Sequence, residues 1–359
     1  MRKLFCISLI VFSIFICNSA YAAEGELRAR VIDCGVGLCV AIRLPNDHFI
    51  VYDTGKNSDG YMQLKAYLGT NPQIDLLVLS HNDQDHIGYA DDLLEEFDVA
   101  RVLHSGFVRI TDELEPMDAW FDYTHALWNE VRLHGCEEIN LRCSDIDFGS
   151  EIETSDEDVT VTFVCGWAYP PNDWGFSLES DESEYKNAGS IVIKVEYEGS
   201  SILLTGDTEE YVGTRDDAGR YCRAAEAFMI DNCDVDSDVL IGQHHGSDGS
   251  SSPELIDAID PDYVIFSAGG SFRHPRLSTY LRFQSYFEDE RGLDIGFDGV
   301  DQDGVRRVFK TDVGDSHRAG EWYLDPWNGG IFEDFYHIDI TIFDDGTPMA
   351  VQYAFVEKT

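Results

Sequence analysis

The chain has 359 residues, with 68 Asp and Glu against 25 Lys and Arg, for a formal net charge of −43. Such a charge repels polyanions, which argues against long nucleic acid or an anionic membrane surface as the main partner. The acidic residues are scattered and not run together, so they describe a charged surface and not a disordered acidic tail.

Met1-Arg2-Lys3, the apolar stretch Leu4 to Cys17 and the small residues Ala20-Tyr-Ala22 read as a secretory signal peptide over residues 1–22. The expected location is therefore secreted or periplasmic. No later stretch reaches the apolar length of a membrane-spanning helix. Strands are expected at 27–33, 39–44 and 49–52, separated by the turns Gly35-Val-Gly37 and Pro45-Asn-Asp47, as an antiparallel meander. A helix near Gly60 to Leu68 leads to Ile74-Asp-Leu-Leu-Val-Leu79, an apolar run of buried-strand type. The polar loop Ser80 to His86 follows, and then apolar residues at helical spacing from Ile87 to Phe97.

Residues 104–187 read as an insertion-bearing connection. Regular pattern returns with strands over 190–197 and 202–204 and a helix over about 218–229. A strand at 239–241 and a helix from Pro253 come next, with Pro at the first turn. Strands at 263–266, 305–309 and 337–343 complete the series. Two halves of similar rhythm predict an α/β fold: a two-sheet sandwich with helices outside. Residues 23–359 are expected to form one domain, with a C-terminal strand extension around 313–359.

Cysteines outside the leader fall as Cys34 with Cys39, Cys136 with Cys143 and Cys222 with Cys233, leaving Cys165 alone. Secretion permits disulfides. Cys34 and Cys39 flank a Gly-rich turn, and these two are expected to be joined.

The densest chemistry is His81-Asn-Asp83-Gln-Asp85-His86, four metal-ligand side chains in six residues between a buried strand and a helix. Alternate residues of an extended segment point the same way, so His81, Asp83 and Asp85 can converge. Imidazole with carboxylate suits zinc or manganese, and the lack of thiolate argues against a purely structural zinc.

This motif resembles the His-x-His-x-Asp-His signature of the metallo-β-lactamase superfamily, in the ComEC-like variant with Asp83 as second donor. Other segments are similar in the same order. Val31-Ile-Asp33-Cys-Gly35-Val-Gly37 and Asp53-Thr-Gly55 come first, and Asn187-x-x-Ser190 and Thr205-Gly-Asp207 follow. His244-His245-Gly246-Ser247 and His274-Pro275 close the series. Leu38 stands where the family often has Asp, and the membrane channel of ComEC-like proteins is absent, so a transport role does not carry over.

The resemblance implies the αββα sandwich, with two mixed sheets between outer helices, and two divalent ions, Zn2+ or Mn2+. His81, Asp83 and Asp207 would hold one ion; Asp85, His86, Asp207 and His274 would hold the other. A water between the ions would lose its proton and attack. Asn187 stands where many members have a first-site His, and Asn is a poor zinc ligand. His245 resembles the proton-donating His of phosphodiesterase members, with His244 and Ser247 assisting and Asp53 supporting the metal loop.

A hydrolase of a phosphodiester bond is the reading these motifs favour. An ester, lactone or lactam hydrolase of the same fold is the enzymatic alternative. A secreted binding module without catalysis is the alternative from another class. The charge favours a small substrate over long nucleic acid.

Overall fold

The computed structural model describes residues 25–108, 118–175, 182–209, 211–212, 221–269, 274–311 and 335–356. The leader reading at 1–22 and the tail 313–334 lie outside them. No described helix is long and apolar enough to cross a membrane.

The chain opens with the expected meander, β1 (Glu26–Val31), β2 (Val40–Arg43) and β3 (Phe49–Tyr52), all antiparallel. Helix α1 (Ser58–Leu68) is capped by the Asn57 side chain, which accepts from the Asp59 N–H. It returns the chain to β4 (Ile74–Leu79), parallel to β3. All six residues of β4 are buried, because both its faces are covered. Leu76 and Val78 enter the core between the sheets, while Leu77 and Leu79 meet helices outside. Helices α2 (Gln84–Ile87) and α3 (Ala90–Glu96) follow, then β5 (Arg101–His104), α4 (Asp118–Asn129) and β6 (Glu137–Asn140).

The 104–187 segment is more regular than its sequence suggested. Besides α4 and β6 it carries β7 (Ser150–Glu151), β8 (Val159–Cys165) and α5 (Glu182–Asn187). Strand β8 alternates Val159, Val161 and Phe163 into the intersheet core, and a register shift before Cys165 turns that residue to the opposite face.

The second half begins with the antiparallel pair β9 (Val192–Tyr197) and β10 (Ser200–Leu204). A small ladder follows, β11 (Tyr211–Val212) with β12 (Tyr221–Cys222), and then α6 (Ala224–Asn232). Strands β13 (Val239–Ile241), β14 (Tyr263–Phe266) and β15 (Val308–Lys310) add in parallel, with α7 (Pro253–Ile259) and α8 (Leu277–Asp289) between them. The last strands, β16 (Phe335–Phe343) and β17 (Ala350–Val356), cross back to the first sheet, where β16 pairs with β1.

The sheet orders are β17-β16-β1-β2-β3-β4-β5-β6 and β15-β14-β13-β10-β9-β8-β7. Each sheet is antiparallel at one end and parallel at the other. One apolar layer lies between the sheets, a second under α1 to α4 and a third under α6 to α8. This is the αββα sandwich of the metallo-β-lactamase fold.

The expected Cys34–Cys39 bond is not present: both are free, buried thiols. The Ile32 N–H donates to the Cys39 carbonyl at 2.9 Å, so Ile32 and not Cys34 stands opposite Cys39. Burial pushes the Cys34 thiol up to about 12. The other two suggested pairs are likewise unjoined. The Cys233 thiol instead donates to the Val164 carbonyl at 3.5 Å.

Candidate metal centre

Parallel pairing within each sheet brings strand carboxyl ends to one edge, and the donor side chains follow those ends. Asp53 follows β3, residues 81–86 follow β4, Asp207 follows β10, His244 and His245 follow β13, and His274 follows β14. The Ile191 N–H donates to the Ser80 carbonyl at 2.9 Å and ties the two halves together beside His81.

Asp53 anchors the motif loop. It is fully buried, with left-handed backbone at φ 56°. Its carboxylate accepts from the Ser80 N–H and the Ser80 hydroxyl, each at 2.7 Å, and lies 2.7 Å from His86 Nδ1. That contact places a His86 proton on Nδ1 and turns Nε2 toward the cleft. His245 is set the same way by the Ser267 carbonyl, 2.8 Å from its Nδ1. His81 Nδ1 faces hydroxyls, Ser80 Oγ at 3.0 Å and Ser190 Oγ at 3.4 Å. Since Ser80 donates its proton to Asp53, it accepts from His81.

The three Nε2 atoms of His81, His86 and His245 and Oδ1 of Asp207 are thus buried without a hydrogen-bond partner. Oδ1 of Asp207 lies 3.2 Å from His86 Nε2 and 3.5 Å from His245 Nε2. Oδ2 of Asp207 lies 3.9 Å from His81 Nε2 and 3.7 Å from His244 Nε2. Ligands about 2.1 Å from a tetrahedral ion stand roughly 3.4 Å apart. Each unpaired buried polar atom costs roughly 1–3 kcal/mol, a cost that a shared divalent ion removes. The residues therefore fit such an ion. Two sets of donors lie within mutual reach: His81, His86 and Asp207, and Asp85, His86 and His245.

Burial opposes a charge on His86, but the carboxylates of Asp207 and Asp53 raise it well above the usual imidazole range, so an incoming ion would displace its Nε2 proton. Burial, then the neighbouring His86, lowers His81 to about 3, and burial, then His244, lowers His274 to about 2. Both stay neutral, as ligands must be. Burial would raise Asp207, but His86, His245 and His244 hold it well below the usual carboxylate range. Burial opposes the charge on His244 too, yet the carboxylates of Glu209 and Asp207 raise it to about 9. Glu209 Oε2 lies 3.0 Å from His244 Nδ1.

Asp83 and His274 stand outside both donor sets. Asp83 Oδ2 is 3.7 Å from His81 Nε2, while its Oδ1 accepts from Lys186 Nζ. The His274 ring centroid is 5.6 Å from that of His244 and 6.4 Å from that of His245. His245, expected as a proton donor, instead stands among the potential ligands. Asn187 is buried and donates to Glu209 Oε1 at 3.4 Å. Ser247 serves its own turn, its hydroxyl accepting from the Gly249 N–H at 3.3 Å. His244 and His245 both have left-handed backbone, at φ 43° and 55°. Gly246 after them has no room for a side chain, since a Cβ would meet Pro275 at 2.5 Å.

Lys186 and Glu209 escaped the sequence reading, and Ser80 and Ser190 were named there without a role. The signal was their adjacency to motif residues: Lys186 precedes Asn187, Ser80 precedes His81, Ser190 closes the Asn187-x-x-Ser190 segment and Glu209 follows Asp207 by two.

The metallo-β-lactamase superfamily model matches residues 32–134. ComE operon protein 3 of Bacillus subtilis (strain 168) is 28% identical over 302 residues, 78% of this chain and 33% of that one. Competence protein ComA of Neisseria gonorrhoeae is 24% identical over 268 residues, 73% of this chain and 30% of that one. Probable metallo-hydrolase YflN of B. subtilis (strain 168) is 29% identical over 178 residues, 45% of this chain and 63% of that one. The chain spans about a third of the length of the first two relatives.

Proposed function

We propose, for a chain that belongs to the metallo-β-lactamase superfamily, a metal-dependent hydrolase whose target is a phosphodiester bond in a small substrate, acting outside the cytoplasm. The observation that carries the hydrolase reading is the convergence of three unpaired imidazole nitrogens on the Asp207 carboxylate. Asp85, His86, His245 and Asp207 would hold a divalent ion, zinc or manganese. His81 and Asp83 offer a second position beyond Asp207. When bound, the ion supplies Lewis acidity at the scissile bond.

The remaining residues set geometry and charge. Asp53 and the Ser267 carbonyl fix the tautomers of His86 and His245. His244 Nδ1 lies 3.0 Å from Glu209 and its Nε2 3.7 Å from Asp207, which puts an imidazole beside the metal position where it can meet a substrate oxygen. The phosphodiester choice rests on this imidazole and on similarity to the two ComEC-like relatives.

A second reading, an ester, lactone or lactam hydrolase, draws on a small recess beside His81. Phe107, Trp167 and Tyr185 line it together with Lys186. Aromatic walls of this kind suit a small, partly apolar group.

The test is an activity panel on metal-loaded protein with bis-p-nitrophenyl phosphate, single-stranded DNA and a chromogenic cephalosporin, each with and without chelator. Chelator-sensitive cleavage of the phosphodiester is the expected result. Cleavage of the cephalosporin alone selects the second reading. Inactivity on all three, with metal bound, contradicts the phosphodiester assignment.

A further inference from the structure

Lys186 is a buried cation in a cleft built for cations. It lies in the last turn of the short helix α5 at 5% exposure, and its ammonium donates to Oδ1 of Asp83. Its backbone is fixed. The Lys186 carbonyl accepts from the Gly189 N–H at 2.9 Å, and the Asn187 carbonyl accepts from the Ser190 N–H at 2.9 Å. The same turn is pinned to Ser80 through Ile191. A lysine so enclosed needs a paired carboxylate, and here the partner is a residue that would otherwise be a metal ligand.

The position next to His81 is short of donors for other reasons too. Asp83 falls within reach of His81 but in neither of the two convergent sets. The residue after Lys186 is an amide, Asn187, turned toward Glu209 and not an imidazole turned toward His81. The position around His86 differs: Asp85, His86 and His245 converge there with Oδ1 of Asp207.

We propose that the Lys186 ammonium takes the place of a metal ion at the His81–Asp83 position, so that the protein holds one divalent ion tightly, at Asp85, His86, His245 and Asp207, beside a covalently tethered positive charge. A divalent ion at the neighbouring position would face that ammonium across a single carboxylate. It would have to displace Lys186 from Asp83, leaving the ammonium buried and unpaired. The inference rests on reading the cleft as a metal centre and not on the choice of substrate.

The experiment counts ions. Wild-type protein, Lys186→Met and Lys186→Arg are loaded with excess zinc, and separately with manganese, then desalted and measured by elemental analysis. Calorimetric titration with the metal alone runs in parallel, and thermal melts check folding. Wild type and Lys186→Arg are expected to retain one ion per chain. Lys186→Met is expected to approach two, with a second binding event at least about tenfold tighter than any in wild type. Two tightly held ions in wild type overturn the proposal, and so does a folded Lys186→Met that stays at one. If Lys186→Met fails to fold, the wild-type and Lys186→Arg counts decide. No ion in any variant overturns the metal reading and this inference with it, whereas one ion without phosphodiester cleavage contradicts only the substrate.

Discussion

The two shoulders of the cleft are built from the same residue types and differ in how those residues are held. On the shoulder of His86 and His245, each Nδ1 meets a strong acceptor, the Asp53 carboxylate at 2.7 Å and the Ser267 carbonyl at 2.8 Å. On the shoulder of His81, the Nδ1 contacts are hydroxyls at 3.0 and 3.4 Å, and the nearby carboxylate of Asp83 is already paired with Lys186. Firm outer contacts orient an imidazole and strengthen it as a donor. The contrast teaches that ligand identity alone does not make two equal positions; the outer contacts and one buried ammonium set them apart.

Substitutions rank the shoulders. Asp207→Ala removes the carboxylate that touches both, with Oδ1 on one side and Oδ2 on the other. Metal retention and hydrolysis should fall by more than the roughly 100-fold upper range of an outer-contact change. Wild-type metal affinity in that variant would remove Asp207 from the centre. Asp53→Asn strikes the His86 shoulder directly, and the His81 shoulder only through Ser80, and should weaken metal affinity by roughly 10–100-fold, seen in a competition titration against a chromophoric chelator. Ser190→Ala removes a contact to His81 and one accepted from the Asp207 N–H, at 3.4 and 3.2 Å, and should change affinity less than Asp53→Asn does. The opposite order would mean that the His81 shoulder is the tight one.

Much of this was legible because it is local. The four ligand types within residues 81–86 declare a metal loop, and the buried run 74–79 declares the strand that carries it. The meander and the later parallel strands were also visible as apolar runs of strand length. The roles of His245 and His274 were not, because they depend on which way a loop of left-handed residues turns after β13. Lys186 was invisible for a similar reason. Only the turn joining α5 to β9, bonded to Ser80, brings its ammonium to Asp83. The disulfide expectation failed on register, since Cys39 stands opposite Ile32 across the hairpin.

Charge gives a weaker contrast, between the cleft and the surface around it. With a net charge of −43, the surface repels a polyanion over roughly 8–10 Å at physiological salt, whatever the cleft's own cations do at contact. Cleavage of DNA, where it occurs, should therefore rise modestly from low to moderate salt while cleavage of a small phosphodiester stays nearly level. A steep fall on DNA would instead reveal a basic binding track.

The central claim is that a divalent ion sits where His86, His245 and Asp207 meet. A crystal structure of zinc-loaded protein, with an anomalous difference map at the zinc edge, tests it most directly. The account predicts one dominant peak about 2.0–2.1 Å from Nε2 of both His86 and His245 and in contact with Oδ1 of Asp207. A dominant peak elsewhere, or none in the cleft of a fully loaded crystal, would contradict it.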